Sequence, residues 1–184
     1  MNEETQRQIF HIILGIVTIA ILLYYSKGFM IAAVFFTIIA GTIVINMRLL
    51  KKKIAFVQWF EKHFERKNIW FPGWGSACYA AGVLIPLTFL TNNAEIAAII
   101  FMLAVGDGFS TLIGRIGKTK LPYNKKKTLE GTVAFFVATL PAYYFVGSLI
   151  VPLAIIGAIV ESIDLKIDDN LTIPIAGTAF LLVV

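Results

Sequence analysis

Two apolar runs near the N-terminus, Ile9 to Tyr25 and Gly28 to Met47, constrain the fold of this chain more than any other feature. A helix rises about 1.5 Å per residue, so about 20 apolar residues cross a hydrocarbon core about 30 Å thick. Inside that core every backbone N–H and C=O must be satisfied internally, which selects helices. Further runs follow at Ser76 to Leu90, Glu95 to Ile113, Gly131 to Phe145, Leu149 to Ile163 and Leu171 to Val184. The last would reach only about 21 Å as a helix. With 58% apolar residues and fifteen Phe, and a mean hydropathy of +0.82, the chain lies outside the range of soluble domains. The expected fold is an all-α integral membrane protein of about seven transmembrane helices. No Ser/Pro-rich linker or charged tail divides residues 1–184, so a single polytopic domain is expected. Glu3, Glu4 and Arg7 precede the first run in place of a basic signal-peptide start, so that segment is expected to be retained. The lone Cys78 lies in an apolar run and is expected to be a small buried residue.

From Arg48 to Asn68 the pattern changes. Leu50, Ile54, Val57, Phe60 and Phe64 recur at helical spacing among lysines and glutamates, which predicts an amphipathic helix on the cytoplasmic membrane surface. Trp70, Phe71 and Trp74, interleaved with Pro72, Gly73 and Gly75, read as an interfacial aromatic anchor. With seven crossings and a cytoplasmic N-terminus, every Lys and Arg except Lys27 falls on one side, and every acid except Glu95 lies on or near it. The net charge of +5 is then a cytoplasmic face of mixed sign, with no nucleic acid expected as partner. Chemistry, if present, belongs to that face.

Asp107 interrupts the fourth run, and an acid at that depth is costly unless paired or solvated, which makes it a functional candidate. Gly106 and Gly108 flank it and are expected to leave the backbone open to a ligand, while Ser110, Thr111 and Gly114 share its helical face. Behind them come Arg115, Gly117, Lys118 and Lys120, then Lys125, Lys126, Lys127, Thr128, Glu130 and Gly131. Lysine is a mobile point charge for phosphate oxygens, and a helix N-terminus capped by Thr128 adds a second anion contact. The plain alternative is a topology-setting basic loop with a capping residue. On the last cytoplasmic turn Glu161 mirrors Asp107 in depth, followed by Asp164, Asp168, Asp169 and Asn170. Such oxygen ligands suit magnesium shared with substrate phosphates, although Asp168 to Asn170 also reads as a helix cap with Pro174 in the first turn. Arg7 and His11 stack at i and i+4 at the same edge, where the histidine is a candidate proton acceptor or a hydrogen-bonded interfacial residue. His63 is given no role.

As an ordered set, these elements resemble the polyprenol kinase family, which takes in dolichol kinase, phytol kinase and CTP-dependent diacylglycerol kinase. The resemblance spans most of the chain: Arg7 and His11, the acid-glycine-lysine block, KKTLEG from Lys126 to Gly131, and Glu161 followed by DDNLTIP from Asp168 to Pro174. Ser110 stands where the family usually has alanine, and Gly117 comes one residue early. The resemblance implies transfer of the γ-phosphoryl group of CTP, with Mg2+, to the hydroxyl of an isoprenoid alcohol or diacylglycerol. Asp107, Glu161 and Asp168 are then the expected catalytic acids, with Asp169 and Asn170 joining them as metal ligands. Gly106, Gly108, Gly114, Lys118, Lys120, Lys126, Lys127, Thr128, Glu130 and Gly131 are the expected nucleotide and phosphate contacts, and Arg7 and His11 face the lipid acceptor. Two alternatives share these features: a cytidylyltransferase forming a CDP-lipid, whose histidine and C-terminal Asp-Arg signature is absent, and a small ion or anion transporter.

Overall fold

The structure, a computed structural model, describes residues 3–50, 55 and 73–184. The described residues form helices joined by turns and loops, without a β-strand, and the only ladder-type contact among them is an isolated bridge between Lys120 and Thr128. Helix α1 (Glu3–Tyr24) and helix α2 (Lys27–Leu49) form an N-terminal hairpin whose turn is held by Ser26 Oγ, which accepts from the Phe29 N–H at 3.1 Å. Helix α3 (Trp74–Phe89) follows, then α4 (Asn93–Phe101), capped by Asn92. A π-helical turn, Met102–Gly106, joins α4 to α5 (Asp107–Gly114) as one continuous helical stretch, Asn93–Gly114, of 22 residues. Beyond the lysine loop come α6 (Leu129–Thr139), the single turn α7 (Tyr143–Val146), α8 (Ile150–Ser162) and α9 (Asp169–Leu181).

The Asn93–Gly114 stretch is the buried axis of the bundle. Ile96 through Ile100 and Met102 through Ala104 are completely buried, and α1, α3, α6 and α9 pack around them. Burial of large apolar side chains at about 25 cal/mol per Å² is the principal stabilising term where helices meet. By contrast α2 turns Phe35, Phe36, Ile39 and Ile43 outward, the pattern of a helix facing lipid.

Among the described residues, four helical stretches are long and apolar enough to cross a membrane: Glu3–Tyr24, Lys27–Met47, Asn93–Gly114 and Leu129–Ser162. They take in the expected first, second and fourth spans, and they merge the expected fifth and sixth into one 34-residue stretch. That stretch is broken at Gly147, whose φ of +58° suits a residue without Cβ, and it folds back so that α6 and α8 pack together. The expected third and seventh spans fall on α3 and α9, with 16 and 13 residues. Each is too short to cross alone at about 1.5 Å per residue, and the two pack against each other. The predicted amphipathic helix lies outside the described residues except for 48–50 and 55, as do Trp70 and Phe71, while Trp74 begins α3 and is exposed.

Lys27, the cation that breaks the charge asymmetry, has a local role. Its Nζ donates to the Leu90 carbonyl at 2.7 Å, satisfying an orphan acceptor at the end of α3 and tying that end to the start of α2.

Candidate active site

Asp107 begins α5 immediately after the π-helical turn and is only 9% exposed. The flanking glycines do not open it to a ligand. A Cβ on Gly106 would lie 2.6 Å from Thr139 Oγ1, and one on Gly108 would lie 2.6 Å from Ile12 Cγ1, so both positions are filled by neighbouring helices. Their smallness serves close packing of α6 and α1 on the Asp107 helix, and neither of these two expected phosphate contacts lines the cavity described below. Gly114 and Gly131 do border the cavity described below, and they also form the crossing of α5 with α6: a Cβ on Gly131 would stand 3.0 Å from Gly114 Cα.

The start of α6 is built by Thr128. Its Oγ1 accepts from the Gly131 N–H at 3.2 Å and lies 3.2 Å from the Gly114 carbonyl, to which its hydroxyl donates. Glu130 accepts from the Lys118 and Thr119 N–H groups at 3.0 and 3.1 Å, so its carboxylate anchors the glycine-lysine loop and is not itself turned to an anion. Further along the loop, Asn124 Nδ2 donates to the Ser162 carbonyl at 2.9 Å and Tyr123 donates to Ser162 Oγ at 2.9 Å. These contacts pin the loop to the end of α8, where Glu161 lies. Reading of the sequence passed over Tyr123, Asn124 and Ser162 as site-building residues. The one available signal is an Asn placed two residues before a lysine whose N–H its side chain accepts, at 3.1 Å.

Glu161 is 1% exposed and stands at the centre of the polar network. Its Oε1 accepts from Ser110 Oγ at 2.6 Å and from Lys127 Nζ at 2.5 Å, while Oε2 is buried without a hydrogen-bond partner. Lys127 also donates to Asp169 Oδ2 at 2.9 Å. One oxygen from each of Asp107, Glu161 and Asp169 lies within 4.8 Å of the others, so these three carboxylates converge closely enough to share one cation. Asp168 is differently employed: its Oδ1 accepts from the Asn170 N–H at 3.1 Å and caps α9, although the residue borders the cavity. Asn170 Oδ1 is buried without a hydrogen-bond partner, and the residue does not line the cavity.

A cavity of about 470 Å³ opens beside the acids. Arg115, Lys120, Lys126 and Lys127 supply cations to its wall, Thr128 and Gly131 the helix N-terminus, and Glu161, Asp168 and Asp169 the opposite side. Lys118 is not among its lining residues. Lys126 donates to Asp164 at 2.8 Å, and that contact holds the Asp164 carboxyl below the ordinary range. Burial disfavours the Lys127 ammonium, but Glu161, Asp169 and Asp107 together outweigh it and raise Lys127 above the usual lysine value. On α1, Arg7 pairs with Glu4, whose Oε1 also accepts from Gln8 at 2.9 Å. His11 Nε2 lies 3.2 Å from the Leu103 carbonyl and 3.9 Å from Asp107 Oδ2, with its ring edge-on to Tyr79.

Comparison with known proteins places this arrangement. An uncharacterized protein of Methanocaldococcus jannaschii is 32% identical over 177 residues, covering 94% of this chain and 89% of that protein. The chloroplastic farnesol kinase of Arabidopsis thaliana is 29% identical over 96% of this chain and 64% of its own length. A probable chloroplastic phytol kinase 2 of Oryza sativa is 29% identical over 98% of this chain and 65% of its own length. These similarities support a relationship to the polyprenol kinase family. The chain spans just under two thirds of the length of these two plant relatives. No protein-family model matches the chain. No solved structure matches it either. In the fold, the residues that carried the resemblance converge from both halves of the chain: Lys126 to Gly131 at the start of α6, and Glu161 with Asp168 and Asp169 around the start of α9.

Proposed function

We propose that this protein is a membrane lipid kinase that moves the γ-phosphoryl group of CTP to the hydroxyl of an isoprenoid alcohol, working at the cytoplasmic face. The observation that carries the reading is the Asp107–Glu161–Asp169 cluster, closed around a lysine and opening onto a cavity walled by further cations. Similarity to the farnesol and phytol kinases supports a kinase, and an isoprenoid acceptor over diacylglycerol. Phosphoryl transfer asks a protein chiefly for positioning and charge neutralisation, and this cavity offers both.

Lys120, Lys126 and Arg115 would hold phosphate oxygens, with the N-terminus of α6 adding backbone donors above the Thr128 cap. The three carboxylates and the unpartnered Glu161 Oε2 form an all-oxygen donor set that fits magnesium. Bound there, magnesium would neutralise charge on the phosphate oxygens. Asp107, reached from α1 by His11, is the group assigned to orient the lipid hydroxyl and take its proton. The lipid tail stays among the helices, because the acids sit at the end of apolar spans.

The test is an acceptor panel of farnesol, phytol, a long polyprenol and diacylglycerol, offered to the purified protein with magnesium and labelled CTP. The expected products are CDP and a phosphorylated isoprenoid alcohol, with Asp107→Asn and Glu161→Gln each lowering the rate about 100-fold or more. Release of pyrophosphate in place of CDP, or unchanged rates in both variants, would sink the reading.

A further inference from the structure

The acid cluster already contains a cation of the chain's own. Lys127 Nζ sits 2.5 Å from Glu161 Oε1 and 2.9 Å from Asp169 Oδ2, filling the space between two of the three converging carboxylates, and its side chain is only 26% exposed. A magnesium ion drawn to the same oxygens would bind them at about 2.0–2.1 Å. Ammonium and metal would then compete for the same lone pairs, and two cations side by side in a half-buried site repel strongly.

The local structure lets the ammonium leave without disturbing the loop. The Lys127 backbone is held by its N–H to the Asn124 carbonyl at 3.1 Å and by its own carbonyl to the Leu121 N–H at 3.2 Å. The four-carbon stem can therefore swing while the loop stays in place. Its destination is the adjoining cavity, whose wall already carries Arg115, Lys120 and Lys126. An ammonium exchanges two bonded carboxylates for a cationic wall only when a polyanion lies there.

We propose that Lys127 is the resident counterion of the Asp107–Glu161–Asp169 cluster and gives way to a divalent metal when a polyphosphate fills the cavity. Metal and nucleotide then bind as a coupled pair. The exchange rests on the lipid-kinase reading of this site and adds a coupling between its two ligands. By linkage, each ligand raises the affinity for the other by the same factor.

Binding of Mn2+ alone to the full chain in nanodiscs, followed by the paramagnetic signal of free Mn2+, tests the exchange. Lys127→Met is expected to bind Mn2+ about tenfold or more tightly than the wild type, and Mn2+ restores its lowered thermal midpoint, a rescue that ordinary structural damage would not show. Lys127→Arg keeps the charge and stays as weak as the wild type. The wild type supplies a second readout should Lys127→Met not fold: its thermal midpoint rises with Mn2+ plus a non-hydrolysable CTP analogue and not with Mn2+ alone. Equal Mn2+ affinity in the wild type and Lys127→Met, or an equal thermal rise with Mn2+ alone and with both ligands, overturns the exchange. Glu161→Gln separates the two levels. If it weakens Mn2+ binding while Lys127→Met changes nothing, the function reading stands and the exchange fails; if it leaves Mn2+ binding intact, both fail.

Discussion

At the residue scale, the most constrained group is the Glu161 carboxylate, fully buried yet joined to Ser110 and Lys127 through one oxygen. A buried charge survives only where hydrogen bonds and an opposite charge replace its hydration. Ser110→Ala removes one of those bonds, and we expect it to cost about 1–2 kcal/mol of stability, since hydrogen bonds to charged groups are worth more than neutral ones. Denaturant titration in detergent measures that loss. The same variant should lower turnover more than nucleotide affinity, because Ser110 orients Glu161, and a steady-state split of kcat against KM reads this. An unchanged kcat would remove Ser110 from the positioning of the acid. Asp107 and Glu161 were legible in the sequence because an acid within an apolar span violates the rule of its surroundings. The difference between Lys126 and Lys127 was not. Adjacent lysines in one run look alike, yet one bonds Asp164 at the surface and the other enters the acid cluster.

At the scale of elements, close approaches set where the site residues stand. A Cβ on Gly82 of α3 would lie 1.9 Å from the Asn170 carbonyl oxygen of α9, and backbone cannot swing aside as a side chain can. Gly82→Ala should therefore force α3 and α9 apart at the turn that carries Asp169. We expect about 2–3 kcal/mol of destabilisation from this overpacking. Gly75→Ala, with nothing within 4 Å of the added Cβ, is the neutral comparison. Thermal unfolding of the pair gives the contrast, and equal midpoints would contradict the tight crossing. Glu130 acts on the loop in a different way, through the N–H groups of Lys118 and Thr119. Glu130→Ala should free the loop and raise the KM for CTP severalfold, with a smaller effect on kcat. A kcat loss with unaltered KM would show instead that Glu130 acts on the chemical step. The Lys126 to Gly131 motif was visible as a sequence, but its acid reads as a ligand until the fold turns it back onto its own loop. Asp168 shows the same limit: its capping of α9 depends only on local backbone, and that alternative was readable, whereas its exclusion from the converging acids is a matter of direction.

At the scale of the whole molecule, the basic loop and the acidic turn of the candidate site share one end of the described bundle. The loop bearing Lys118 to Lys127 and the turn bearing Asp164 to Asp169 meet at one end of the bundle, while Lys27, Leu90 and Asn92 lie at helix ends elsewhere in the chain order. By the positive-inside rule, the proposed cytoplasmic orientation puts the lysine end inside. Single cysteines at Lys125 and Asn93, in a Cys78→Ser background, should then react with a membrane-impermeant thiol reagent from opposite sides: Lys125→Cys only in inverted vesicles and Asn93→Cys only in right-side-out ones. Labelling of both from one side would overturn the assigned orientation.

The sequence by itself determined that the chain is a helical membrane protein and that acids and lysines stand where apolar spans should end, because desolvation cost and helix length act on each segment independently. The count of crossings did not follow as simply, since Leu129–Ser162 is a single stretch folded on itself and α3 and α9 are short helices that pack together. Only the tertiary structure decided which acids converge. Asp107, Glu161 and Asp169 come from three helices, and their oxygens meet through the crossings at Gly114 with Gly131 and at Gly82 with Asn170. Charge in a low-dielectric interior interacts over a few ångströms, so the distances between helices, which no local pattern encodes, select the carboxylates that gather around Lys127.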